Sequence, residues 1–483
     1  MNLTQQAKQA QPAQPAPLPQ LGVAQLRQQL RAGTLRSVDL ADALIARTEA
    51  HAALNGYVAF DAEALHAQAE AADARIAAGE DLPLLGVPVA LKDNIDAVGL
   101  PSAAGTRALV GLHPQHDAEV VQRLRKAGAL IAGKANMHEL AMGITTNNSV
   151  TGAARNPWEP SRIPGGSSGG SGVVVAAGLV PAAIGTDTGG SVRVPAALCG
   201  VVGLRPTTGR VPGRGIAPIS LTRDTAGPIA RSVEDCALLD GVLSGSAQPL
   251  APVSLQGVRL GVPGPGFWEG LEPGVHGVAQ EAIERLRSAG AQLVEVPLPA
   301  LAGFNEAAGF PIALYEFIRD MGDYLHYAQR GVSLRQLVDA IGSPDVAAIV
   351  QPLMGEGAVP EAVYAHALQA RRGLQAVYAE AFAAYGVRAL LFPTTPLTAA
   401  PVGHDVTVQL NGQALPTFSA FIRNTDPGSN AGIPGVTLPA GLANGLPVGL
   451  GLDGPAGSDR GLLALAAAVE AVLPPLPSAP WLR

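Results

Sequence analysis

One local pattern occurs twice and constrains the fold more than any other feature. Val121-Gln122-Arg123-Leu124-Arg125-Lys126-Ala127-Gly128-Ala129 is echoed by Ile283-Glu284-Arg285-Leu286-Arg287-Ser288-Ala289-Gly290-Ala291. Each reads as a helix stopped by glycine, because glycine adopts the left-handed backbone that ends helices at little steric cost. Each is followed by an apolar run expected to form a strand, at residues 130–133 and 292–296. No fixed period continues, so these are two helix-turn-strand units of a sheet and not links of a solenoid.

The rest of the chain extends this alternation. Ser37 is positioned to cap a helix over residues 38–51, Asp61 one over 62–78, and Asp117 one ending at 127. Residues 85–91 read as a buried strand that delivers Lys92 at its end. Further strands are expected at 182–185, 201–204, 259–262, 390–392, 436–439 and 448–452. Strands alternating with helices over the whole length imply one large α/β domain spanning 21–483. Residues 1–20 are rich in Gln, Ala and Pro and read as a flexible lead-in. Residues 304–385 read as mostly helical, a region covering a pocket. They hold Tyr315, Tyr324, Tyr327, Tyr364, Tyr378 and Tyr385, a concentration that suits an apolar pocket or helical packing.

Composition narrows the partners. A hydrophobic content of 47% supplies a sizeable core, and a net charge of −7 argues against nucleic acid or an anionic membrane. No unbroken apolar run is long enough to span a bilayer, and no signal peptide is evident, so a cytoplasmic enzyme is expected. Two cysteines, Cys199 and Cys236, make no disulfide framework and read as buried packing residues.

The chemistry concentrates between Gly165 and Ser191. Gly165-Gly166-Ser167-Ser168-Gly169-Gly170-Ser171 is followed by an apolar run and then by Gly185-Thr186-Asp187-Thr188-Gly189-Gly190-Ser191. Serine hydroxyls pressed against glycine backbone suit a nucleophile beside an oxyanion hole. Such a serine needs a base. Gly165–Gly169 fits the Gly-x-Ser-x-Gly elbow formally, but Pro157, Pro160 and Pro164 make its lead-in a loop, not a buried strand. Nine histidines leave a Ser-His-Asp arrangement open. The other base is Lys92, whose amine would be neutral if the apolar strand before it buries it. The glycine loop lacks the spacing of a phosphate cradle. His138-Glu139 lacks the second histidine of a zinc motif, since position 142 is Met142, so no metal or cofactor is expected.

Three motifs together resemble the amidase signature family. They are Lys92-Asp93-Asn94-Ile95, the stretch Gly165 to Ser171, and Gly185 through Ala196. Gly133 through Gly143 and Gly203 through Arg210 add to the match. The resemblance implies a single large mixed β-sheet flanked by helices in an α/β/α arrangement. It implies that Ser191 is the nucleophile, Ser167 a bridging serine after a cis bond from Gly166, and Lys92 the base. The backbone amides of Thr188, Gly189, Gly190 and Ser191 would form the oxyanion hole. Asp187 would pair with Arg193 behind the loop, and Ser168 would support it by hydrogen bonding.

Leu314-Tyr315-Glu316-Phe317 and Ile422 through Pro434 resemble the branch that hydrolyses indoleacetamide and mandelamide. That implies small aryl or aryl-alkyl amides, cleaved to acid and ammonia through an acyl-enzyme. Met142, Gly143, Tyr315, Phe317, Ile422, Arg423 and Asn424 are the candidate pocket residues. Carbamate, anilide or ester hydrolysis on the same residues is the first alternative. The amidase subunit of a tRNA-dependent amidotransferase complex is the second. A monomer or homodimer acting on a small molecule is expected.

Overall fold

The computed structural model of the chain describes residues 18–264 and 266–480. Residues 1–17 of the expected lead-in lie outside these, and Leu18–Gln20 form a single 3-10 turn.

An 11-stranded sheet organises the described residues. From one edge its strands are Tyr57–Phe60, Leu130–Ala135, Pro88–Lys92, Ala182–Asp187, Thr225–Ala230 and Val202–Arg205. Gly435–Ala443, Leu446–Asp453, Ala389–Pro393, Arg259–Pro263 and Gln292–Val296 continue it to the other edge. Parallel and antiparallel pairings alternate in blocks, so the sheet is mixed.

The two repeated units sit near opposite edges of this sheet. Helix Glu119–Lys126 joins the parallel strands Pro88–Lys92 and Leu130–Ala135, and helix Pro273–Ser288 joins Arg259–Pro263 and Gln292–Val296. Gly128 and Gly290 have φ of 88° and 93°. Beyond them the amides of Ala129 and Ala291 donate to the carbonyls of Leu124 and Leu286, each at 3.0 Å. These bonds satisfy carbonyls that a helix end leaves open. A Cβ at Gly128 would also stand 2.7 Å from Leu85 Cα, so the turn needs glycine for space as well as conformation.

Two expected caps are corrected. Ser37 is the first residue of helix Ser37–Ala50, and its hydroxyl donates to the Gly86 carbonyl at 2.9 Å. The carboxylate of Asp73 instead accepts from the Ser37 and Val38 amides, at 2.7 and 3.2 Å. Asp117 accepts from the Val98 amide and pairs with Arg125, while its helix begins at Glu119. Asp61 does cap helix Ala62–Ala77, accepting from the Ala64 amide at 2.9 Å. Two strands of this 11-stranded sheet carry no clear pattern in the sequence. Tyr57–Phe60 is a half-buried edge strand. Thr225–Ala230 holds Gly227 and Pro228, residues that weaken a strand reading, yet it lies inside the sheet. Its pairing with Val202–Arg205 stops at Ile229, one residue short of the proline.

The sheet brings the chemistry together by register. Pro88–Lys92 and Ala182–Asp187 run parallel, with Leu91 opposite Ile184, so Lys92 reaches the carboxyl end of its strand one residue out of register with Thr186 on the next. Both strands are buried throughout, packed beneath the apolar helix Gly169–Ala176. The carboxyl ends of parallel strands are where open α/β sheets bind ligands. Residues 304–385 are largely helical, dominated by Leu301–Tyr327 and Glu361–Tyr385. Cys199 and Cys236 are buried free thiols. Among the described residues no helix is long and apolar enough to cross a membrane.

Candidate active site

Lys92 is fully buried, and its amine has two hydroxyl neighbours. Nζ lies 2.7 Å from Ser167 Oγ and 2.8 Å from Thr186 Oγ1. Burial pulls its pKa down to about 7, an effect partly opposed by the Asp224 and Asp187 carboxylates. A substantial share of the lysine is therefore neutral near pH 7, carrying a lone pair beside a serine hydroxyl. Asn94 Nδ2 donates to the same Thr186 hydroxyl at 3.2 Å and to the Ala217 carbonyl at 3.2 Å.

The Gly166–Ser167 peptide bond is cis. Ser167 is almost fully buried, and its carbonyl accepts from the His138 amide at 3.1 Å. Ser168 ties the two serine loops together. Its amide donates to the Ser191 carbonyl at 3.2 Å, and its hydroxyl donates to the Thr186 carbonyl at 3.2 Å. Helix Gly169–Ala176 follows immediately, and its first turn lies against the next strand end. A Cβ at Gly170 would sit 2.3 Å from the Asn136 backbone, so only glycine allows that approach.

Asp187 shapes the loop that carries Ser191. Its carboxylate accepts from the amides of Gly190 and Val192, at 2.9 and 3.1 Å. Arg193 reaches it through Nε at 3.1 Å and Nη2 at 3.2 Å, and Arg205 through Nη1 at 3.0 Å. Burial by itself would raise the Asp187 carboxyl, but the two guanidinium groups hold it below the ordinary carboxylate range. The anion is therefore favoured in the interior at neutral pH.

The loop from Ile422 to Pro434 docks on this turn. Thr425 Oγ1 donates to the Gly189 carbonyl at 2.7 Å, and Arg193 Nη2 donates to Thr425 O and Ser429 Oγ at 3.1 and 2.5 Å. The glycine pair has a packing reason here. A Cβ at Gly190 would fall 2.2 Å from Thr425 Oγ1, and one at Gly189 would fall 2.9 Å from Asp426 Oδ1.

A cavity opens above Ser191. Its floor includes Thr188, Gly189 and Ser191. Its wall is mainly apolar: Met142 and Ile219, then Phe310, Ala313, Leu314 and Ile349 from the helical region, and Phe418 with Ile422. Arg223 and Asp426 are the charged residues among those that line it, and they pair with each other at 2.6 Å.

The structure thus brings Lys92, Ser167, Ser168, Asp187, Ser191 and Arg193 together, with Thr188 and Gly189 at the cavity floor. Gly190 is not on that floor, because its amide is turned to Asp187. Of the seven candidate pocket residues, Met142 and Ile422 line the cavity. The other five are placed elsewhere. Gly143 packs on the His138 ring, where a Cβ would be 2.2 Å from Nε2. Tyr315 stacks on Tyr364 with ring centres 4.1 Å apart. Phe317 is fully buried with Met137, Met321 and their neighbours. Arg423 Nη2 donates to the Glu269 carbonyl at 2.9 Å, and Asn424 Nδ2 donates to the Phe267 and Pro393 carbonyls at 3.0 and 2.7 Å.

His138 and Glu139 are occupied by protein. His138 Nδ1 accepts from the Thr146 amide at 3.2 Å, and Nε2 lies 2.9 Å from Asp345. Glu139 accepts from the Thr106 hydroxyl and the Ser343 amide, both at 2.7 Å. Among the described residues no group of three His, Cys, Asp or Glu side chains is arranged to hold a metal.

The sequence reading missed Thr186, Arg205, Arg223, Phe310, Ile349, Phe418 and Asp426. Thr186 lies inside a quoted motif. Phe310, Ala313 and Leu314 follow helical spacing, which places them on one face.

Comparison with known proteins agrees with this geometry. The amidase family profile matches residues 39–463. The indoleacetamide hydrolase of Agrobacterium vitis is 45% identical over 455 residues, 94% of this chain and 97% of that protein. The mandelamide hydrolase of Pseudomonas putida is 41% identical over 481 residues, covering 95% and 93%. A crystal structure described as an amidase superposes with a TM-score of 0.84 at 36% identity, covering 94% of this chain and all of the other. With its fold, its buried lysine–serine pair and these relatives in agreement, the chain belongs to the amidase family, the amidase signature hydrolases.

Proposed function

We propose that this amidase hydrolyses neutral aryl-alkyl primary amides to carboxylic acid and ammonia, with Ser191 as nucleophile, Ser167 as proton bridge and Lys92 as base. The observation that carries the reading is the 2.7 Å contact between the buried Lys92 amine and Ser167, below the cavity whose floor holds Ser191.

In this mechanism neutral Lys92 takes the Ser167 proton while Ser167 takes the Ser191 proton. Ser191 Oγ then bonds to the amide carbon, and the carbonyl π electrons move to oxygen. Amide N–H groups of Thr188, Gly189 and Ser191 face the developing oxyanion. Each such donor contributes about 2.7–4 kcal/mol to the transition state. The role of Asp187 is to fix this turn, and Gly190 serves it structurally by donating to that carboxylate. Collapse of the tetrahedral intermediate breaks the C–N bond, and the proton held by Lys92 returns through Ser167 to the departing nitrogen as ammonia. Water then attacks the acyl-enzyme by the same relay and releases the acid.

The substrate class follows from the wall. It offers apolar surface from Met142, Ile219, Leu314, Ile349 and Ile422 and aromatic surface from Phe310 and Phe418. The helical region 304–385 acts as a pocket cover, supplying Phe310, Ala313, Leu314 and Ile349. The lining charges cancel as an ion pair, which suits an uncharged acyl group better than an amino acid such as glutamine. The names of the indoleacetamide and mandelamide hydrolases point to the same class. Rank order of kcat/KM over indole-3-acetamide, phenylacetamide, an anilide, an aryl ester, an N-aryl carbamate and glutamine tests the reading. The aryl-acetamides are expected to lead. A lead for the carbamate, the anilide or glutamine would overturn it.

A further inference from the structure

The apolar wall carries one carboxylate acceptor that the reaction above does not use. Asp426 Oδ1 accepts from Arg223 Nη2 at 2.6 Å, and Oδ2 accepts from Asn305 Nδ2 at 2.9 Å. Both partners are themselves held. Arg223 also donates to the Thr188 carbonyl at 3.1 Å and the Gly309 carbonyl at 2.7 Å, and Asn305 Oδ1 accepts from Asn430 at 2.8 Å. The carboxylate is thereby fixed in place. Two accepted bonds still leave it lone pairs, since an ionised carboxylate offers about four acceptor sites.

Its neighbours leave it uncovered. A Cβ at Gly189 would stand 2.9 Å from Oδ1, and one at Gly309 would stand 3.4 Å from Oδ2. Any larger side chain at either position would lie across the carboxylate. Because both are glycine, Asp426 joins the cavity lining, next to the residue two positions before Ser191. Arg223 balances its charge, so the site favours a neutral N–H donor over a cation. A single fixed polar group in an apolar wall orients a ligand.

We propose that Asp426 is a specificity-determining residue that accepts a hydrogen bond from an N–H on the aromatic ring of a neutral aryl-acetamide bound above Ser191. This rests on the substrate class argued under the proposed function. Arg223 and Asn305 act as positioning residues for it.

The test is a matched pair of substrates, indole-3-acetamide and 1-benzofuran-3-acetamide, which differ by ring N–H against ring oxygen at nearly equal size. The wild-type enzyme is expected to favour the indole in kcat/KM by roughly 10-fold or more, as for a hydrogen bond to a charged group. In Asp426→Ala, which removes the side-chain acceptor, that ratio is expected to fall toward one, with a thermal melt establishing that the variant is folded. Equal kcat/KM for the two compounds in the wild type overturns the inference and leaves the substrate class standing. An unchanged ratio in folded Asp426→Ala also overturns it. Failure of the wild type to hydrolyse either compound overturns the substrate class and this inference together.

Discussion

Lys92 Nζ lies 2.8 Å from Thr186 Oγ1, while the same amine lies 2.7 Å from Ser167 Oγ. Lys92 is the last residue of its strand and Thr186 the penultimate residue of the neighbouring parallel strand, so their spacing is set by the sheet and not by a flexible loop. A buried amine with a rigid acceptor on one side presents its lone pair on the other. Thr186→Val, which keeps shape and removes the acceptor, is expected to lower kcat about 10- to 100-fold with a smaller change in KM. Thr186→Ser is expected to recover most of that loss.

Burial brings the Lys92 pKa down to about 7, and the proposed base is the neutral amine. The neutral fraction grows as pH rises through that value. Accordingly kcat/KM is expected to rise about tenfold per pH unit below pH 7 and to level off above it. A profile measured from pH 5 to 9 that stayed flat would count against Lys92 as a titrating base.

Asp187 joins two buried guanidinium groups and two loop amides. Asp187→Asn leaves Arg193 and Arg205 short of a counter-charge in the interior. Removal of one partner from a buried ion pair costs about 3–5 kcal/mol. Urea melts are expected to show a loss of that size, together with lost activity as the Ser191 loop relaxes.

Ala313 lies on the cavity wall between Phe310 and Leu314 on one helix face. Ala313→Phe is expected to raise KM for indole-3-acetamide severalfold or more, because the added ring occupies the space assigned to the acyl group. Equal KM values for the variant and the wild type would place the aromatic group elsewhere.

The sequence carried much of the reacting centre because its residues lie in short glycine-flanked motifs at strand ends. Gly128 and Gly290 marked two helix ends whose left-handed backbone the structure repeats. What escaped depends on contacts distant in the chain. Arg223 and Asp426 are 203 positions apart, and no local pattern joins them. Asp73 outcompeted Ser37 as a cap because tertiary packing brings its carboxylate to that helix end. The pocket wall was read one turn too far along its helix. Phe310, Ala313, Leu314 and Phe317 share a stripe, but the first three face the cavity while Phe317 continues into the core. Tyr315, on another face, packs against Tyr364.

Ammonia release from indole-3-acetamide by purified Ser191→Ala, beside the wild type at pH 8, tests the central claim most directly. With Ser191 as the nucleophile, kcat is expected to fall by at least about 10³-fold while the melting temperature stays near that of the wild type. Turnover by a folded Ser191→Ala at the wild-type rate would contradict it.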